Sequence, residues 1–425
     1  MMYNKNIHIT AFLFVVFGLS TWLDIIGVGV ELPLIINHVP EGWALPSYLG
    51  LAVSISTMAP VVIILLKLIF KQHLDERIFI YIEIIIGIIS CGLLGQYWNK
   101  TSWLFGAQHS VLLFFFVFLL GTLGSTSTIT YYDYMKRYNT KLLDALLFGE
   151  NLASFIPVIL AVIQWKGGEP ICLLNSANIE YSKPRFPVHV YFWILTFIVL
   201  LSFVAFLTLE WTKIADSYRI KDYKSSNTYE LNSPTDKSSL IESEPSFEPM
   251  STKLYHSLLA VAYYSYVFLH GILPAIVTYA MLPYSHTAFY ISRIILPIAG
   301  PLSIIINRTC KSRLALASIT ILCFIATCTS VYVVTIAALS PCPPLHDTVF
   351  GAIIAIACFF ISQLLYNYVR AVIANRIRQE YKHNSGLFWL GAVFRMGSMS
   401  GEILMFFLIN TFHFFKSREA CRSYC

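Results

Sequence analysis

The sequence predicts an all-α polytopic membrane protein with 11 transmembrane helices in two bundles, six followed by five. Three observations carry that expectation. The 425 residues are 57% hydrophobic and 15% aromatic but only 12% charged, where soluble domains carry about a quarter charged residues, so lipid-facing surface accounts for the deficit. The apolar residues gather into eleven runs long enough to cross a bilayer as helices, which satisfy their own backbone polar groups in lipid. A polar insert separates the first six runs from the last five.

In chain order the runs lie near 9–36, 46–69, 78–97, 110–133, 142–165 and 188–211, then 254–282, 287–307, 313–338, 348–373 and 386–409. The first run exceeds a signal-peptide core and lacks a small-residue cleavage site, so it reads as a retained signal-anchor helix. Three domains follow: residues 1–211 as an N-terminal six-helix bundle, 212–253 as a disordered cytoplasmic linker, and 254–425 as a five-helix bundle with an exoplasmic tail. The insert carries nine serines and no apolar period, so it cannot bury enough surface to fold.

Placing the N-terminus in the cytoplasm puts 19 of the 29 Lys and Arg in cytoplasmic segments, 7 outside and 3 within spans (Arg293, Arg370, Arg395). The positive-inside rule favours this orientation and an extracellular C-terminus. The net charge of +6 thus reflects topology, and no nucleic-acid partner is implied. On this map the sequon at Asn99 faces outward and is the expected glycan acceptor, whereas that at Asn307 faces inward. Cys172, Cys342, Cys421 and Cys425 lie outside, where disulfides persist. Among the three fully paired arrangements, Cys342 with Cys421 is preferred because it ties the Ser340–Pro343 loop to the tail.

Pro33 and Pro60 are spaced as Pro274 and Pro301 are, which puts the first two spans of each half in register. Carriers place substrate near the midplane, where helices interrupted by Gly or Pro line a cavity. Gly27, Gly29 and Pro33 in the first span, and Gly271 and Pro274 in the seventh, are therefore the candidate gating elements. Asp24 and Glu31 share a helix face, and Glu150, Arg293, Arg370, Arg395 and Glu402 also sit inside spans, where unpaired charge costs at least about 2.5 to 3.5 kcal/mol. Enzyme signatures are absent (HExxH, the P-loop, GxSxG), as are metal clusters, and no cofactor is implied.

Gly29-Val-Glu-Leu-Pro33 followed by Pro40-Glu-Gly-Trp-Ala-Leu-Pro-Ser-Tyr48 resembles the signature of the eukaryotic riboflavin transporters. The resemblance runs along the chain through Trp98–Trp103, Phe148-Gly149-Glu150, Gly271–Pro274 with Thr278-Tyr279, Ser340–Pro343 and Gly397–Gly401. It implies an eleven-span facilitator of cellular riboflavin uptake in the plasma membrane, with a fold like the nucleoside carriers and the major facilitators. Ile26 and Gly29 stand where the family carries Asn and Trp, and Asp24, Arg293 and Arg395 are charges at positions usually neutral.

Riboflavin is neutral, with a flat ring that wants aromatic walls and a ribityl chain that wants hydrogen bonds. The implied substrate contacts are Trp22, Asp24, Glu31, Thr57, Ser127, Glu150, Asn151, His270, Thr278, Tyr279, Asn367 and Arg395. Tyr131, Tyr132, Tyr366 and Tyr368 are further candidate rings. Asp24 is expected to pair with Arg395 and Glu150 with Arg293, and His270 is a candidate proton sensor. The competing readings are a carrier for another neutral heterocycle or nucleoside, and a membrane receptor that binds without translocating.

Overall fold

The computed structural model describes residues 2–69, 75–104, 106–138, 140–165, 167–172, 180–212, 214–215, 218–219, 250–310, 314–346, 348–381 and 386–418. The described residues are mostly helical. Helices α1 (Met2–Gly18) and α2 (Leu23–Ile35) form one span bent by 49°. Helices α3 (Leu45–Ser56) and α4 (Ala59–Ile69) make the second, and α5 (Glu76–Tyr97), α6 (Val111–Met135), α7 (Thr140–Gln164) and α8 (Val188–Trp211) the next four. After the insert come α9 (Thr252–Tyr266), a π-helical segment Val267–Ile272, α10 (Leu273–Met281), α11 (His286–Cys310), α12 (Leu316–Ala338), α13 (Val349–Glu380) and α14 (Gly386–Asn410). Among the described residues ten helices are long and apolar enough to cross a membrane, and up to eleven spans result if the bent pair is counted as one, which agrees with the expected polytopic helical fold. The linker expectation falls mostly outside the described residues.

The first span breaks earlier than expected. Helix α2 runs unbroken through Gly27 and Gly29, with Pro33 inside it, and the bend lies at Leu19–Trp22. There Ser20 Oγ donates to Phe17 O at 2.9 Å and Thr21 Oγ1 to Gly18 O at 3.0 Å. Such side-chain bonds compete with the helical ladder and help to end it just after Gly18. The matched prolines also differ in local consequence: Pro60 opens α4 after a turn and Pro274 lies in the first turn of α10, whereas Pro33 and Pro301 are helix-internal. The loops add two short hairpins, β1 (Ser102–Leu104) with β2 (Ala107–His109) and β3 (Pro170–Ile171) with β4 (Glu180–Tyr181).

Helices before the insert pack on one another, α5 on α6 and α8, α1 on α7 and α8; those after it likewise, α11 and α12 on α13, and α14 on α9 and the π segment. At one end of the first group, Asp75 caps α5 by accepting from Arg77 N at 3.1 Å. Arg77 reaches both Asp75 and Glu210, and Arg137 donates to Glu76 at 2.6 Å and Asp75 at 3.2 Å. Partial burial opposes the ionised Asp75, but the hydrogen bonds and charge of Arg77, with Arg137, outweigh it and hold its carboxyl below the usual range. A depressed carboxyl contributes stability at neutral pH that is lost as pH falls through its folded value. Melting temperature should therefore drop below about pH 4, and Asp75→Asn should flatten that acid limb; an unchanged limb would remove Asp75 as its source.

Candidate substrate site and the seam between the halves

One stretch of sequence, residues 29–54, carries most of the contacts between the helices before the insert and those after it. Pro33 has no N–H, so the helical bond to the carbonyl four residues back is missing. That carbonyl, Gly29 O, accepts instead from Arg293 Nε of α11 at 2.6 Å. A Cβ on Gly29 would lie 2.7 Å from Arg293 Nη2, so the absent side chain makes room for the guanidinium. His286 Nε2 meets Pro33 O at 2.9 Å, and Thr278 Oγ1 donates to Trp43 O at 2.6 Å. The Trp43 ring stands edge-on to Tyr279, 5.8 Å between centroids.

Further along the stretch, Ser47 Oγ accepts from Asn410 Nδ2 at 3.0 Å, Tyr48 packs edge-on against Phe406, and Ser54 Oγ donates to Glu402. Glu41 fastens the preceding loop to the start of α6, accepting from Ser110 N and Oγ, both at 2.8 Å. Outside the stretch, Tyr290 Oη donates to Ala161 O at 2.7 Å. All these contacts lie toward the end of the molecule that holds Trp43. At the opposite end, which holds Asp75, the hydrogen bonds and ion pairs between described residues stay within each group of helices: Arg77 bonds to Asp75 and Glu210 and Arg137 to Asp75 and Glu76, while Arg376 bonds to Glu380 and Leu314.

The expected substrate contacts are spread over several separate environments. Thr278 and Tyr279 are buried in the seam. Asp24 and Glu31, both buried, face their own half: Asp24 lies beside Gly87 of α5, and Glu31 accepts from Gln164 Nε2 of α7 at 2.9 Å. His270, Arg370 and Arg395 cluster with Tyr266 and Glu402 on the α9–α10 and α13–α14 side. Thr57, Ser127, Asn151 and Asn367 each donate to a backbone carbonyl of their own helix, and Trp22 packs over Gly124. Tyr131 stacks on Phe17 at 4.1 Å and Tyr366 bonds to Thr327, so both are core residues.

Neither expected ion pair forms. Among the described residues no nitrogen or oxygen donor reaches the Asp24 carboxylate, whose polar neighbour is the Cys91 thiol, and Arg395 sits instead within range of Glu402. Glu150 Oε2 accepts from Tyr132 Oη at 2.9 Å, while Arg293 takes the Gly29 carbonyl. Glu150 and Arg293 each take a neutral partner, a tyrosine hydroxyl and the carbonyl freed by Pro33, which a search for opposite charges overlooks. The sequence signal for Arg293 was the proline itself.

Among the gating candidates, Gly27 packs against Leu195 of α8, and Gly271 faces α14 so closely that a Cβ would lie 2.6 Å from Gly401 Cα. The π segment that contains Gly271 also holds His270, the kind of local unwinding common at functional sites. Asn99 is exposed. Cys342 is disulfide-bonded, as is Cys172; Cys421 lies outside the described residues. A groove of about 390 Å³ between α9 and α12, lined by residues such as Val261 and Phe324, holds no formally charged side chain and lies apart from this cluster.

A chain of membrane-length helices whose halves meet at one end and carry facing polar groups has the architecture of a membrane transporter. Solved transporters share that fold: a D-xylose-proton symporter superposes with a TM-score of 0.56 at 12% identity, covering 97% of this chain and 92% of that one. A nucleoside transporter does so with a TM-score of 0.55 at 12% identity, covering 95% and 90%. The family model described as solute carrier family 52, riboflavin transporter, matches residues 6–417, and the chain belongs to that family. Solute carrier family 52, riboflavin transporter, member 3-A of Danio rerio is 30% identical over 441 aligned positions, covering 96% of this chain and 97% of that protein.

Proposed function

We propose that this protein carries riboflavin across the plasma membrane by alternating access, without catalysing a reaction, with the six helices before the insert rocking as one bundle against the five after it. The observation that carries this reading is the family match over residues 6–417, set beside a seam whose described polar contacts gather toward the Trp43 end. With the N-terminus in the cytoplasm, that end is extracellular.

The test is uptake of radiolabelled riboflavin into proteoliposomes holding the purified chain, with unlabelled riboflavin and uridine as competitors. Saturable accumulation blocked by riboflavin is the expected result. Uridine as the stronger competitor would indicate a nucleoside carrier, and binding without accumulation would indicate a receptor. Orientation has its own check: Asn99 is expected to carry the glycan. A glycosidase-sensitive mobility shift abolished by Asn99→Gln is the outcome that fits, and a shift abolished by Asn307→Gln would invert the topology.

A further inference from the structure

Arg395 and Glu402 stand two helical turns apart on α14, a separation of about 10 Å along the axis, and their charges lie within interaction range of each other. They do not form an ion pair. Glu402 is held from the other half by Ser54 Oγ, and Gly50 lets α3 approach it closely. Arg395 makes no hydrogen bond to any described residue, whereas its neighbour Arg370 is committed to Tyr266 Oη at 3.0 Å. Tyr266 in turn stacks on Phe394 at 4.1 Å. The result is an uncommitted guanidinium and a carboxyl held across the seam, seven residues apart and so on one face of α14, beside a stacked aromatic pair.

A guanidinium and a carboxyl kept apart inside a membrane protein are a costly arrangement unless something bridges them. A neutral group that bridges them must present an acceptor next to a donor. The cyclic amide edge of a heterocycle does so, with its carbonyl beside its N–H, and a planar ring bearing that edge suits an aromatic neighbour.

We propose that Arg395 and Glu402 together read the carbonyl and adjacent ring N–H of the transported heterocycle, and so set its specificity. The inference rests on the riboflavin reading, because the flavin ring presents C4=O and N3–H side by side. Arg395 donates to the carbonyl and Glu402 accepts from the N–H. A ligand methylated at that nitrogen loses the donor and adds bulk against the carboxylate.

Proteoliposomes test this with riboflavin and N3-methylriboflavin as competitors against labelled riboflavin. On the unaltered chain the methylated ligand should compete at least about tenfold more weakly, the scale of one lost charge-assisted hydrogen bond. Arg395→Gln should weaken both ligands in parallel and preserve their ratio, whereas Glu402→Ala should bring that ratio to within about threefold. Equal competition by the two ligands on the unaltered chain overturns the proposal even if Glu402→Ala fails to fold. That result leaves riboflavin transport standing, whereas absence of saturable riboflavin uptake overturns both readings.

Discussion

Arg293→Leu is expected to lower riboflavin uptake at least about tenfold while leaving the protein folded. The substitution removes the donor that satisfies Gly29 O at a place where the helix cannot supply its own, because residue 33 is proline. An unpaired buried carbonyl costs about 1 to 3 kcal/mol, and here the cost falls on the conformation closed at the Trp43 end. A shift of that size changes the ratio of closed to open states roughly tenfold or more. The prediction has an internal control. Pro33→Ala restores an N–H four residues beyond Gly29, so in that background the loss on Arg293→Leu should shrink by about 1 kcal/mol in a double-mutant cycle. Additive losses would show that the Gly29 carbonyl is not what Arg293 serves.

The largest effect on stability is expected at Gly401. A Cβ there would lie 2.5 Å from Val267 O, and one on Gly397 would lie 2.6 Å from Tyr263 O, so α14 crosses α9 and the π segment backbone to backbone. Small residues permit such crossings in membranes, where packing rather than apolar burial drives helix association. Backbone cannot yield as a side-chain end can, so Gly401→Leu should cost about 3 kcal/mol or more and either abolish recovery of folded protein or lower the melting temperature by at least about 5 °C. Gly391 sits on the same helix with open space around its Cβ position. Gly391→Leu should therefore melt within about 1 °C of the unaltered chain; equal losses at both positions would trace the effect to helix α14 in general.

The spans were legible because hydropathy is a local property, and the close crossing at Gly397 and Gly401 obeys an equally local rule, since small residues four apart mark one helix face. The bend at Leu19–Trp22 escaped because Ser20 and Thr21 end the helix through their own hydroxyls, a weaker signal than the glycines and proline further on. The charge pairs escaped for a different reason. Asp24 and Glu31 were placed correctly on a shared face, but a sequence gives a face without its neighbour. That face turned out to address α5 and α7, so Asp24 never meets Arg395. The seam was half legible: its residues fell inside the motif at 29–48, yet their partners His286, Arg293, Glu402 and Asn410 are scattered over the second half. Only the fold brings them to one line.

That line has a dynamic consequence. Since the contacts at Gly29, Pro33, Trp43, Ser47, Tyr48 and Ser54 hang on one short ribbon, they cannot be released independently. Opening behaves like a zip whose teeth share one tape. Weakening any tooth shortens the lifetime of the whole closure, so substitutions along the ribbon should alter turnover together with apparent affinity, and their effects should fall short of adding up.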